Sequence, residues 1–175
     1  MKGIIDANLL LVLVVGLNDP RLLGRKKHVA EYCKEDFDVL CGVLNDFDRL
    51  LVTPNIITEC SNLICGKDGH GANSSEATIL AELLDEGAVY RLDERYVESV
   101  VAANRNEYRY LGVGDCSLLH LVDAQHAVVT ADGALARAAQ SMKPRFGQLQ
   151  PCSNRRTVVL IARTRCRGGR GTPSS

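Results

Sequence analysis

Four acidic residues stand where a chain can do chemistry. Asp6 ends the short apolar run Lys2–Ala7 (KGIIDA), and Asp132 follows the β-prone run AVVT at 127–130 almost at once. Asp115 comes directly after Gly112-Val113-Gly114, and Glu59 lies about one turn into a helical pattern that follows LLVT. Each falls near a strand-to-helix junction, and in an open parallel sheet ligands bind beyond the carboxyl ends of the strands. Carboxylates gathered in one place repel each other and persist only with something positive among them. A donor set made of oxygen alone suits a hard divalent cation, Mg²⁺ or Mn²⁺, over zinc. Such an ion polarises a phosphodiester and activates water, so no serine, cysteine or lysine nucleophile is needed. Singly, each acid has a plainer use: Asp115 as a helix cap, Asp132-Gly133 as a turn, Glu59 as a solvated helix residue. It is their recurrence at one end of successive βα units that points to a site.

The elements that must position them follow from pattern. Lys2–Ala7 reads as a strand, and Asn8 as the cap of a helix, Leu9–Gly16, that is apolar nearly all round and therefore buried. Asn18-Asp19-Pro20 stops it. Apolar residues at Phe37, Leu40, Cys41, Leu44, Phe47 and Leu51 give Lys34–Leu51 a helical period. Leu50–Thr53 is a short candidate strand, and Pro54 opens a helix over Ile56–Cys65. Gly66–Ser75 is a polar glycine-rich loop, followed by a helix from Ser75 to Leu84. The pattern then predicts a strand at Ala88–Leu92, a helix at Asp93–Tyr108, and a loop at Gly112–Gly114. Asp115 opens a helix to Leu121. A strand at Ala127–Thr130, a helix at Gly133–Ser141, an irregular stretch at Lys143–Asn154 and a last strand at Thr157–Ala162 complete the chain. Strands alternating with helices predict an α/β class domain, a three-layer α/β/α sandwich with a mostly parallel sheet.

Bulk properties narrow the class. The chain has 175 residues, enough for one domain with its own core. No linker divides it, so residues 1–163 form one domain and the Arg-, Gly- and Ser-rich stretch 164–175 reads as a flexible tail. Hydrophobic residues make up 46% and charged residues 24%, which excludes global disorder. With 21 basic and 21 acidic residues the net charge is zero. That argues against a basic nucleic-acid coat protein but leaves room for a local phosphate-binding rim. The 7 cysteines are scattered without a CxxC pair, against a zinc site and in keeping with a reducing cytoplasmic setting. The apolar run Leu9–Leu17 is too short to span a bilayer and follows Asp6 where a signal peptide carries positive charge, so no membrane association is expected.

Four segments, in order, resemble the motifs of PIN-domain nucleases. MKGIIDANLLL resembles the opening strand and helix with Asp6 as first acid. LLVTPNIITECSNLI resembles the second motif with Glu59, YLGVGDCSLLHLV the third with Asp115, and AVVTADGALARAA the fourth with Thr130 beside Asp132. The resemblance spans Lys2–Ala139. It implies a PIN-like sandwich, Mg²⁺- or Mn²⁺-dependent cleavage of RNA, metal binding by Asp6, Asp115 and Asp132, and Glu59 as a ligand or orienter of water. It also implies that Asn8 and Thr130 hold the acids by hydrogen bonds. Many members are toxins of toxin–antitoxin pairs of the virulence-associated protein C type, so an RNA substrate, a cognate antitoxin protein and a homodimer, with Lys34–Leu51 as its face, are implied partners. The chain departs from the compact toxins in its longer Asn18–Arg49 region, like a larger PIN subgroup, and in Asp115-Cys116 where Asp-Ala is usual. Two rival readings use the same acids: a DNA- or structure-specific nuclease, and a non-catalytic scaffold that binds RNA or protein. A phosphohydrolase is disfavoured because no DxDx(T/V) motif follows the first strand.

Other chemistry-bearing residues rank lower. His70 and Lys67 lie in GKDGHG, which does not match a phosphate loop. His28, His120 and His126 are scattered, and Asp123 reads as a turn residue. Arg25, Lys26 and Lys27 read as a solvated basic run. Tyr96, Tyr108 and Tyr110 could stack bases, but helix packing is the default expectation for them.

Overall fold

The first strand, β1 (Lys2–Ile5), lies at the centre of a five-stranded, wholly parallel sheet in a computed structural model that describes residues 1–65, 74–123, 125–142 and 158–160. The other strands are β2 (Arg49–Val52), β3 (Leu92–Glu94), β4 (His126–Thr130) and β5 (Val158–Leu160), in the order β3-β2-β1-β4-β5. Ile4 and Ile5 are fully buried, as a central parallel strand covered on both faces requires. The register pairs Ile4 with Leu51 on one side, and Ile4 with Val128 and Ile5 with Val129 on the other. The chain first builds outward from β1 to β2 and β3, then returns to place β4 on the opposite side. The strand order therefore reverses between β1 and β4.

Right-handed crossovers then sort the helices into two layers. On one face lie α1 (Ala7–Asn18), α2 (Lys34–Leu44), α3 (Pro54–Cys65) and α4 (Ser75–Glu82), with α1 packed against the other three. On the other face lie α5 (Ser99–Ala103), α6 (Tyr108–Leu121) and α7 (Gly133–Ser141), with α6 against its two neighbours. The result is a three-layer α/β/α sandwich. The principal contact between the two helical layers is α3 against α6. Helix α1 is buried from Leu9 to Gly16, as its all-round apolar sequence predicts. Gly16 is where α2 comes closest: a Cβ there would stand 2.2 Å from the Phe37 ring.

Several boundaries differ from expectation, each for a local reason. The cap of α1 is Asp6, not Asn8: the Leu9 amide donates to Asp6 Oδ1 at 2.7 Å. The helix expected over Lys34–Leu51 stops at Leu44, because the Asp48 amide bonds the Met1 carbonyl and Arg49 joins the sheet beside Lys2. The strand expected at Ala88–Leu92 begins only at Leu92. Ala88 closes a turn on Asp85, and Val89 is left 87% exposed. Asp93, expected in a helix, is a strand residue whose carboxylate is neutralised by Lys2 at 3.0 Å and Arg95 at 2.9 Å. The helix expected over Asp93–Tyr108 shrinks to α5. Only Gly112 of the expected Gly112–Gly114 loop leaves helical geometry, at φ 77° and ψ −179°, a conformation that side chains with a Cβ avoid. The glycine-rich loop with His70 and Lys67, the Lys143–Asn154 stretch and the 164–175 tail lie outside the described residues, apart from Ser74 and Ser75 at the loop's end. Among the described residues no helix is long and apolar enough to cross a membrane.

Candidate active site

The site is assembled at the carboxyl ends of β1 and β4, where the strand order reverses, the position at which open α/β sheets place ligands. Asp6 leaves β1 and Asp132 follows β4, and both also cap the helices they precede. Asp6 uses Oδ1 on the Leu9 amide, while Asp132 uses Oδ1 on the amides of Ala134 at 2.5 Å and Leu135 at 3.2 Å. Each is thus a helix cap, and capping leaves one oxygen of each carboxylate for other work. Asp6 Oδ2 accepts a hydrogen bond from the Thr130 hydroxyl, and Thr130 Oγ1 in turn accepts from the Asp132 amide at 2.9 Å. Thr130, fully buried at the end of β4, thus ties the two acids together, as expected of it. Asp132 Oδ2 meets no donor among the described residues.

Asp115 arrives from the other layer. It sits on α6 one turn past the break at Gly112, and it is not a cap: its carboxylate has no hydrogen-bond donor among the described residues. Glu59, exposed on α3, reaches the same place from across the sheet edge. A Cβ on Gly114 would stand 3.1 Å from Glu59 Oε2, so the glycine leaves the space the carboxylate uses. The structure thus brings all four predicted acids into mutual influence, with Asp6 deepest and Glu59 at the solvent rim.

The electrostatics follow. Burial pushes the Asp6 carboxyl up to about 6, against the downward pull of the Leu9 amide, the Thr130 hydroxyl and the Ala131 amide; the Asp132 charge adds to the rise. Asp115 is pushed up to about 7, first by burial and then by the charges of Asp6, Asp132 and Glu59. No lysine or arginine of the described residues forms an ion pair with any of the four. The Arg137 guanidinium, exposed on α7, folds back to 3.2 Å from where a Gly133 Cβ would be, next to Asp132 in the chain. Among the described residues no three His, Cys, Asp or Glu side chains already form a coordination shell, so an ion would have to draw these carboxylates together. The donor chemistry suits a hard cation: oxygen only, and partly buried, with no ion pair to it among the described residues.

No family model, curated protein or solved structure matches the chain, so the site is read from its own geometry.

The remaining candidates divide. Asn8 is exposed in the first turn of α1 and makes no side-chain hydrogen bond to the acids, so the structure does not place it where the resemblance implied. Asp123 is the expected turn residue, accepting from the Gln125 amide at 2.7 Å and the His126 amide at 3.1 Å. His126 Nδ1 lies 3.2 Å from the Leu121 carbonyl oxygen and 3.1 Å from Asp123 Oδ1, and His120 is half-buried on α6. Arg25, Lys26, Lys27 and His28 are exposed as expected, with Lys26 paired to the buried Glu76. The tyrosines depart from the packing expected of them: Tyr96, Tyr108 and Tyr110 are 79%, 45% and 62% exposed. The outer side of α2, offered as a dimer face, carries Lys34, Glu35 and Asp38 with Val39 as its exposed apolar residue.

Two residues that sequence reasoning passed over belong here. Thr53 directly follows β2 and Ser117 lies two positions after Asp115; both are fully buried, and their hydroxyl oxygens are 2.7 Å apart. Ser117 carried a signal, a hydroxyl inside the otherwise apolar buried run Cys116–Leu119. Thr53 carried none, since a threonine before Pro54 reads as an ordinary helix start.

Proposed function

We propose that the protein is a Mg²⁺- or Mn²⁺-dependent endoribonuclease of the PIN type, with Asp6, Asp115 and Asp132 as metal ligands and Glu59 at the entry side. One observation carries this reading: Asp115, partly buried and without a donor or ion-pair partner among the described residues, feels the charges of three other carboxylates. A structural carboxylate would have a partner, whereas one kept hungry for positive charge at a strand-order reversal is a ligand waiting for its ion.

A divalent ion bound there supplies Lewis-acid polarisation of a phosphodiester and a water more acidic than bulk. The chain supplies the rest. Asp6 and Asp132 are held rigid, because each is pinned by capping bonds and by Thr130. Asp115 brings negative charge from the opposite layer, and Glu59, exposed at the rim, is the carboxylate free to orient or deprotonate an incoming water. Arg137, beside the start of α7, is suited to meet the phosphate backbone.

The test is digestion of matched single-stranded RNA and DNA with Mn²⁺, Mg²⁺ or EDTA. The reading expects internal RNA cuts that EDTA abolishes and that Asp6→Asn lacks. Cleavage in EDTA, or equal cleavage by Asp6→Asn, refutes it. Preferential DNA cleavage would move the substrate to the rival nuclease reading.

A further inference from the structure

We propose that Thr53, Ser117 and Gly114 form a positioning device that sets the separation of the Glu59 and Asp115 carboxylates across the sheet edge. The inference rests on the metal-dependent reading of the acid cluster and adds residues to it. Asp6 and Asp132 leave adjacent parallel strands, so the sheet itself holds them, and Thr130 bridges them. Glu59 and Asp115 have no such frame. One stands on α3 in one helical layer and the other on α6 in the opposite layer, and the backbone breaks at Gly112 just before Asp115. Something must register the two helices.

The donor accounting identifies it. Ser117 Oγ lies 2.6 Å from the Gly114 carbonyl oxygen, which can only accept, so the single Ser117 hydroxyl proton goes there. The Thr53 hydroxyl must then donate to Ser117 Oγ across 2.7 Å. The direction is fixed: Thr53 to Ser117 to Gly114. Thr53 stands at the start of α3, where a threonine ordinarily turns its hydroxyl onto an amide of its own helix. Here its carbonyl starts the helix, accepting from Ile57 at 3.1 Å, while the hydroxyl is turned to the other layer. The bond ends on Gly114, the residue whose missing Cβ makes room for Glu59 Oε2 and whose neighbour is Asp115. Two fully buried hydroxyls at a contact that valine and alanine would also fill are an unneeded liability for packing alone. They make sense as a means of fixing direction and distance.

Full-length protein with Thr53→Val, Thr53→Ser, Ser117→Ala or Gly114→Ala decides the matter, with Mn²⁺ affinity read by electron paramagnetic resonance beside melting temperature and cleavage of single-stranded RNA. Thr53→Val and Ser117→Ala are expected to bind Mn²⁺ about 10-fold more weakly and to lose about 10-fold in kcat with little change in KM, at temperatures where they remain folded. Thr53→Ser, which keeps the hydroxyl, restores both. Gly114→Ala is expected to weaken Mn²⁺ with the hydroxyl relay intact, because its Cβ would stand 3.1 Å from Glu59 Oε2; if the relay variants fail to fold, parental Mn²⁺ affinity in folded Gly114→Ala overturns the inference. If the folded variants lower only the melting temperature and keep parental Mn²⁺ affinity and kcat, the inference is overturned while the nuclease reading stands. If the parent itself neither binds Mn²⁺ at millimolar concentration nor cuts RNA, both fall.

Discussion

Asp6 and Glu76 are carboxylates buried to nearly the same depth, 3% and 4% exposed, and the protein treats them in opposite ways. For Glu76, burial pushes upward, but the Lys26 ammonium, helped by the Asn18 amide at 3.0 Å, more than offsets it and holds the carboxyl below its ordinary value. That cluster fastens the segment after α1 to α4 and completes its own charge balance. At the carboxyl edge of the sheet, burial pushes Asp6 and Asp115 up in the same way, and no cation among the described residues offsets it; the charges of neighbouring carboxylates add to the rise instead. A buried acid with a cation is architecture. A buried acid among acids costs folding free energy, which the proposed ion would offset.

The largest effect expected from this contrast is on activity. Asp115→Asn should reduce RNA cleavage by on the order of 100-fold or more, while Glu76→Gln should leave kcat near the parental value. Equal losses in a gel-based cleavage assay would erase the distinction between the two regions.

The pH dependence of stability should also run in opposite directions. The folded protein holds protons on Asp6 and Asp115 between the unfolded value near 3.8 and about 6 and 7, so apo stability should fall as pH rises through that window and level off above it. For Asp6 the shift amounts to about 3 kcal/mol, and Asp6→Asn, which keeps the helix cap, should remove that part of the slope. Glu76 contributes the other way: its stabilisation is present above 4.5 and is lost as pH falls below it. Urea titrations of parent, Asp6→Asn and Glu76→Gln from pH 3 to pH 8 separate the two terms; a parental slope in Asp6→Asn would show that the edge carboxylates are not the cause.

Mn²⁺ sharpens the contrast at one end only. At a concentration 100 times its dissociation constant, the ion should stabilise the folded state by about 2.7 kcal/mol, or roughly 5–10 °C in melting temperature. Asp115→Asn should lose that shift and Glu76→Gln should keep it. A smaller effect is the stability cost of Glu76→Gln itself, about 1 kcal/mol, because Lys26 is half-exposed and recovers water. Smallest of all, Asn8→Ala should change neither cleavage nor stability by more than about 0.5 kcal/mol, since its side chain is exposed and holds none of the acids. A strong loss of activity there would restore the role that the resemblance to PIN nucleases implied.

Much of the site was legible in the chain because strand ends are. Asp6 and Asp132 each follow a β-prone run directly, and a residue one step beyond a parallel strand has little choice of where to be. Thr130, the last residue of the same run, was legible in place, while its role came from the resemblance alone. Of the plainer local uses, the cap read for Asp115 is absent, and the turn read for Asp132 is a helix cap. The helix α1 announced its burial through composition alone. Short amphipathic stretches did not announce theirs. Val89 lies in an apolar run and is exposed, Asp93 lies in a helical pattern and is a strand residue, and Tyr108 and Tyr110 face outward. In such stretches a few tenths of a kcal/mol of propensity decide nothing against a single long-range partner such as Lys2 for Asp93.

Local order along the chain, then, determined the alternation of elements, the buried first helix and the acids that end strands, because these depend on period and on neighbours within a few positions. The tertiary structure alone decided that β4 lies beside β1, that α3 meets α6 over the sheet edge, and that Thr53 bonds Ser117 from 64 positions away. Those contacts are set by which faces remain to be buried once the sheet has formed, and no window of sequence contains both partners.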